Sequence, residues 1–299
     1  MAQETKKEYS AYGGQAVIEG IVMKSPQGKS ALVCRRSDGE LVYEISEAKP
    51  LQSRYKALSW PIIRGVVAFL DALIGGMQIL SKSAEIYASG EEEELEDWQM
   101  ALAVAFSLLL GTALFMVLPT LILRFLPLFK IEHPLVRNLS EGLIRIIFFV
   151  IYLYAVSRLE DIKRVFQYHG AEHKTIHCYE NKETLTVANV KKHSTLHPRC
   201  GTSFLFIVMI VSSLFFSLFG WPNLLLRVFY RLSLMPLVAG VSYEVLRLMG
   251  KLAGESKFLD ILIKPGLLMQ KLTTAEPDEL QIEVAIEALK AVLPPEEVV

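Results

Sequence analysis

The chain has 299 residues, 52% of them apolar and only 21% charged, with a mean hydropathy of +0.35. So oily a composition excludes an ordinary soluble domain. The 31 Lys and Arg against 32 Asp and Glu give a formal charge of −1, which excludes a basic nucleic-acid binder and an acidic disordered chain.

Residues 1–15 are polar, carry Lys6 and Lys7, and lack the apolar core of a signal peptide. Residues 16–22 and 30–46 read as strands, with Ser37-Asp38-Gly39-Glu40 as a hairpin turn. They define a small N-terminal β subdomain over residues 1–58, too short to bury much by itself and expected to pack on the remainder. Residues 59–99 hold an apolar stretch, Trp60 to Leu80, interrupted by Arg64, Asp71 and Gly75-Gly76. It reads as an amphipathic or re-entrant helix, with a full membrane crossing as the alternative. The acidic run of Glu91 to Glu94, Glu96 and Asp97 that follows reads as a solvated linker or a helix cap.

Membrane segments dominate the second third. Met100 to Leu123 is 24 residues without a charge, as is Ser203 to Leu226, and about 20 residues of helix cross a core of roughly 30 Å. Ile146 to Ser157 is bracketed by Arg145 and Arg158, and reaches spanning length if those arginines snorkel. Leu224 to Leu246 carries Arg227, Arg231 and Glu244, and Gly220-Trp221-Pro222-Asn223 reads as the turn of a tight hairpin. The expected architecture is an α-helical polytopic membrane protein of about four transmembrane helices: two within 100–157 and a hairpin within 203–248. Residues 158–202 form a loop between them, and residues 249–299 a C-terminal region. In the latter, Glu276-Pro277-Asp278 opens an amphipathic helix whose Ile282, Ala285, Ile286, Leu289 and Val292 share a face. That face could dock on the body, the bilayer or a partner.

Lys and Arg number 11 in residues 1–99 and 8 in residues 158–202, against three (Arg124, Lys130, Arg137) between spans one and two. That asymmetry places both termini and the central loop in the cytosol of a multi-pass protein of the cell membrane.

The central loop carries the chemistry. Five of six histidines, His169, His173, His177, His193 and His197, lie there with Cys178, Cys200, Glu172 and Glu180. At 100° per residue, His169, Glu172, His173, His177 and Glu180 fall within an arc of about 140°. Imidazoles at i and i+4 can reach one ion, and His169-x-x-Glu172-His173 fits the inverted zinc-hydrolase pattern H-x-x-E-H. His169 and His173 are therefore expected metal ligands, with Glu172 as general base. His197 or Glu244 would complete the set, Glu244 because a carboxylate within a span is by default functional. For these groups to meet, the helix leaving span two must bend back, and Gly170 is the expected place. A second arrangement, Cys178, His193, His197 and Cys200, has the spacing of a structural zinc site.

Four strings stand out: Gly13-Gly-Gln-Ala-Val-Ile-Glu-Gly20, Tyr168-His-Gly-Ala-Glu-His-Lys-Thr175, His197-Pro-Arg-Cys-Gly-Thr-Ser-Phe204 and Leu272-Thr-Thr-Ala-Glu-Pro-Asp278. Together they resemble the YqhQ family of bacterial polytopic membrane proteins, over essentially the whole chain. The resemblance implies membrane location and a metal-dependent enzyme activity.

The expected function is a membrane metalloenzyme with a divalent cofactor, zinc by its ligands. It would be a hydrolase acting at the cytosolic face on a membrane-associated substrate. The alternatives are a non-catalytic scaffold or assembly factor stapled by structural zinc, and a transporter component. The partners expected are the lipid bilayer, the membrane-associated substrate or a protein, and a second copy in a homo-oligomer. Nucleic acid is not among them.

Overall fold

Short apolar runs punctuated by glycine build an antiparallel meander of β1 (Gly13–Val17), β2 (Gly20–Lys24), β3 (Lys29–Arg35) and β4 (Leu41–Glu47), paired in sequence order. The computed structural model describes residues 12–47, 55–89, 97–125, 133–198, 200–220, 222–252 and 257–297. Of the acidic run, Glu91 to Glu94 and Glu96 lie outside the described residues. The strand expected over 16–22 is two strands. The chain reverses at Ile18-Glu19, where Glu19 adopts φ 47°, and Val17 pairs with Gly20. Gly20 fits because a Cβ there would lie 2.4 Å from Cys34 Sγ. The expected hairpin at 37–40 is present, with Gly39 at φ 91° and its N–H donating to the Arg36 carbonyl at 2.9 Å.

Both faces of the sheet are apolar because both are covered. Ile21, Met23, Ala31 and Val33 pack with residues of α5 (Glu160–Glu180) and α10 (Glu279–Val292). Val17, Val22, Leu32 and Cys34 pack against Ile86 and Ile79 of α1 (Ile63–Ala88). The C-terminal helix thus docks on the body. Its start is set by Asp278, whose carboxylate accepts from the Gln281 N–H while the Gln281 side chain accepts from the Asp278 N–H, a reciprocal capping box.

The remaining helices are apolar. A long one runs as α2 (Asp97–Thr112), a π turn (Ala113–Val117) and α3 (Leu118–Phe125); then come α4 (Pro134–Val156), the one-turn α6 (Val187–Val190), α7 (Thr202–Ser217), α8 (Leu224–Leu252) and α9 (Lys257–Thr273). Four helical segments are long and apolar enough to cross a membrane: Ile63–Ala88, Ala101–Phe125, Leu135–Val156 and Leu224–Met249. The molecule is a helical membrane protein with an N-terminal four-stranded sheet.

Three boundaries differ from the sequence reading. The stretch after Trp60 forms one unbroken 26-residue helix, α1, which runs beyond Leu80 to Ala88. Its Gly65 is pressed against α8, where a Cβ would lie 2.7 Å from the Gly240 carbonyl oxygen. The charge-free run from Ser203 is helical only to Ser217, because the chain turns at Gly220 (φ 69°) ahead of Pro222. Arg145 does not bracket a span; it lies inside α4. There its guanidinium donates to the Phe115 carbonyl at 3.0 Å, in the π turn, and to Glu141 at 3.4 Å.

Glu141 anchors a buried charge cluster that sequence reading missed. It is fully buried and receives Arg145, Arg227 and Arg231, while the Thr120 hydroxyl donates to it at 2.8 Å. The cluster ties α3, α4 and α8 together. Its signal in the sequence is two charge pairs at i,i+4 spacing, 141/145 and 227/231, on otherwise apolar helices.

Candidate metal centre

Helix α5 carries the histidine face. The chain leaves α4 at Val156, bends through Ser157 and Leu159, and re-enters helix at Glu160. The bend expected at Gly170 is therefore at 157–159, and α5 is unbroken through Gly170. That glycine serves a close approach: a Cβ on it would lie 2.1 Å from the Ala275 carbonyl oxygen.

The four strings singled out in the sequence converge on this helix. From the first, Glu19 pairs with Arg164 and accepts from the Tyr168 hydroxyl at 3.1 Å, and the Gly14 N–H donates to Glu172 Oε1 at 3.1 Å. From the last, the Ala275 N–H donates to the Phe166 carbonyl at 2.9 Å, and Glu276 pairs with the buried Lys174 at 2.8 Å. From the third come His197 and Cys200, placed just before α7.

His169, His173 and Cys200 form one group, each offering a ligand atom with all three within 4.8 Å of one another. His169 Nδ1 is bonded to the Thr273 carbonyl at 2.8 Å and His173 Nδ1 to the Thr195 carbonyl at 2.5 Å. Such bonds fix the tautomer and present Nε2 as a lone pair, as second-shell carbonyls do for metal-bound imidazoles. His169 Nε2 lies 3.1 Å from Cys200 Sγ; zinc bonds of about 2.0 Å to nitrogen and 2.3 Å to sulfur in a tetrahedron put those atoms ~3.5 Å apart. The residues fit an ion with a small adjustment. Burial holds the His173 imidazole below its ordinary pKa, which keeps it neutral and able to ligate.

Glu172, next to His173 in the chain, is not one of these three donors; its carboxylate is held by Gly14 of β1 and lies near enough to His169 to feel its charge. It is buried, and burial raises its carboxyl pKa against the opposing effects of His169 and the Gly14 N–H. Its Oε2 has no hydrogen-bond partner among the described residues.

The other expected ligands lie elsewhere. Glu244 does not join the histidines: Arg64 of α1 neutralises it through both guanidinium edges, Nε at 2.6 Å from Oε1. His197 groups with His177 and Glu180, and Cys178 and His193 group with Glu183. The four residues of the expected structural zinc site are thus divided among three places. Cys178 faces the Glu183 and Thr184 carbonyls at 3.8 and 3.6 Å, and burial pushes its thiol up to about 11. The thiol thus faces the chain that follows the end of α5.

Sequence reading had Cys200 only in the structural set and missed Thr273, Thr195 and Gly14. The signal for all but Thr195 was their membership of the same four strings.

Residues 60–295 match the family described as "Protein of unknown function (DUF1385)". The chain belongs to the DUF1385 family. It is also 37% identical over 297 residues to the uncharacterized protein YqhQ of Bacillus subtilis (strain 168), a match covering 95% of this chain and 92% of that protein. No solved structure matches it. The DUF1385 region contains α5, Cys200 and the 273–275 segment. The sheet that supplies Gly14 and Glu19 precedes it.

Proposed function

We propose that this DUF1385 chain is a membrane-bound, metal-dependent hydrolase, with His169, His173 and Cys200 as ligands and Glu172 as general base. The observation that carries the reading is the convergence of three ligand atoms within 4.8 Å, two of them on imidazoles whose other nitrogen is tied to a carbonyl. A zinc ion on three protein ligands lowers the pKa of its bound water to about 7 and so supplies a nucleophile. Glu172 is the proton acceptor, with one oxygen held by Gly14 and the other directed at no protein donor among the described residues. Burial raises its proton affinity, which makes it a stronger base than an exposed carboxylate.

Topology supports a site at the membrane face. The sheet, α5 and α10 share one core, so they lie on the same side, and an even number of crossings separates the sheet from α5. Three helices in that interval are long enough to cross. We take α1 as the one that does not, because Ile79 and Ile86 pack on the sheet and the Ser83 hydroxyl accepts from the Ile18 N–H at 3.3 Å. Leu70, Leu73, Ile74, Met77 and Leu80 form an exposed apolar stripe on α1, suited to lying in the bilayer interface. Crossings by α2–α3, α4 and α8, with the shorter apolar segment of α7, Phe204–Ser217, as the fourth, then return the chain to its starting side. The Lys and Arg excess makes that side cytosolic, so the substrate is a membrane-associated molecule approached from the cytosol of the cell.

The test uses full-length protein in mixed micelles with p-nitrophenyl acetate as a generic ester. Glu172→Gln is expected to keep its zinc and to lose about 10²-fold or more of the zinc-dependent rate. A Glu172→Gln protein with an undiminished rate, or one that has lost its zinc, contradicts the assignment, as does wild type with no zinc-dependent turnover.

A further inference from the structure

A second group of donors stands next to the first along α5. His177 lies one turn beyond His173, Glu180 is the last residue of the helix, and His197 comes from the turn before α7. One nitrogen from each imidazole and a carboxylate oxygen all lie within 4.8 Å of one another. His197 Nε2 is 3.5 Å from Glu180 Oε2, with the two side chains 5% and 1% exposed.

These donors are held in place. The His197 main chain is clamped by the buried Gln270, whose Oε1 accepts from the His197 N–H and whose Nε2 donates to the His197 carbonyl, both at 2.8 Å. The His177 ring is oriented by a 2.9 Å bond from Nε2 to the Leu196 carbonyl. Two imidazoles and one carboxylate on a rigid frame make the N,N,O set of 2-His-1-carboxylate sites, which takes a first-row divalent cation and leaves positions open. The group shares no residue with His169, His173 and Cys200, although the His197 ring lies 4.6 Å from that of His177 and 5.6 Å from that of His173.

We propose that His177, Glu180 and His197 form a second divalent-cation site, adjacent to and separate from the His169–His173–Cys200 site. Its donor set is harder than that of the first, which contains a thiolate, so the two sites differ in the ions they prefer. The site does not depend on the hydrolase reading.

Cobalt(II) separates the two sites, because thiolate ligation gives a charge-transfer absorption that an N,N,O set lacks. Full-length protein in detergent, stripped by a chelator, is titrated with Co²⁺ while bound metal and absorption are followed. Wild type is expected to take two ions, only one of which produces the charge-transfer band. Glu180→Gln, which keeps the side-chain size, and His177→Ala are each expected to weaken the band-silent ion about tenfold or more and leave the band intact. Cys200→Ser is expected to abolish the band and retain the silent ion. The proposal is overturned if wild type binds a single ion that carries the band, or if both Glu180→Gln and His177→Ala leave the silent ion unchanged. A silent ion sensitive to Glu180→Gln in a protein that never shows the band upholds this site and overturns the thiolate-containing one.

Discussion

Replacing Glu141 by glutamine is expected to lower the thermal midpoint of the detergent-solubilised protein by about 10 °C and to reduce its folded yield. The side chain keeps its size, so the effect isolates charge. Glu141 is fully buried and serves three guanidiniums, Arg145, Arg227 and Arg231. Without the carboxylate, three like charges face one another between α4 and α8 in a region of low dielectric. Breaking one partner of a buried ion pair costs on the order of 3–5 kcal/mol, and for a chain of this size each kcal/mol moves the midpoint by roughly 2–4 °C. The Arg145 contact to Phe115 survives, which is why a folded but weakened protein is expected. Combining Glu141→Gln with Arg231→Met should recover part of the loss. An unchanged midpoint for Glu141→Gln would show that the cluster does not hold the bundle together.

Gly170→Ala is expected to weaken the ion at His169 by about tenfold or more while leaving most of the molecule folded. Helix propensity alone predicts the opposite sign, since alanine favours a helix interior over glycine by about 1 kcal/mol. Packing decides otherwise. The new methyl group would meet the Ala275 carbonyl oxygen, a backbone atom, at 2.1 Å. Relief requires α5 and the 273–275 segment to separate, which costs about 1–3 kcal/mol as overpacking. It also lengthens the bonds from His169 to Thr273 and from Ala275 to Phe166 that orient the ring. Zinc competition with a chromogenic chelator reads the affinity. A variant that binds as wild type does would mean that this contact does not position the ligand.

Local pattern made some of this legible. The histidine and carboxylate face of residues 169–180 follows from helical spacing, and Asp278 announces α10 as a cap. The charge-free run beginning at Met100 marks its helix without help from tertiary structure. Charges within apolar runs misled in a consistent way. Arg145 reads as the edge of a span because linear hydropathy has no knowledge of Glu141, or of the Phe115 carbonyl in the π turn. Glu244 reads as a metal ligand, or as a pair with nearby Arg247, because its partner, Arg64, is 180 positions away in sequence. Which donors join His169 is likewise a long-range matter. Cys200, 31 positions on, reaches it because α7 starts where α5 passes. The reversal at Ile18-Glu19 was hidden because both faces of the sheet are covered, so β2 shows a continuous apolar run and no alternation to mark its start.

Metal content tests the central claim most directly. Full-length protein purified in detergent, saturated with zinc and freed of excess, is measured for zinc per chain as wild type and as His169→Ala/His173→Ala/Cys200→Ser. The account predicts one zinc fewer per chain in the triple variant, with the folded fraction retained as judged by size exclusion. Equal zinc in the two folded proteins would contradict it, and so would a wild type that holds none.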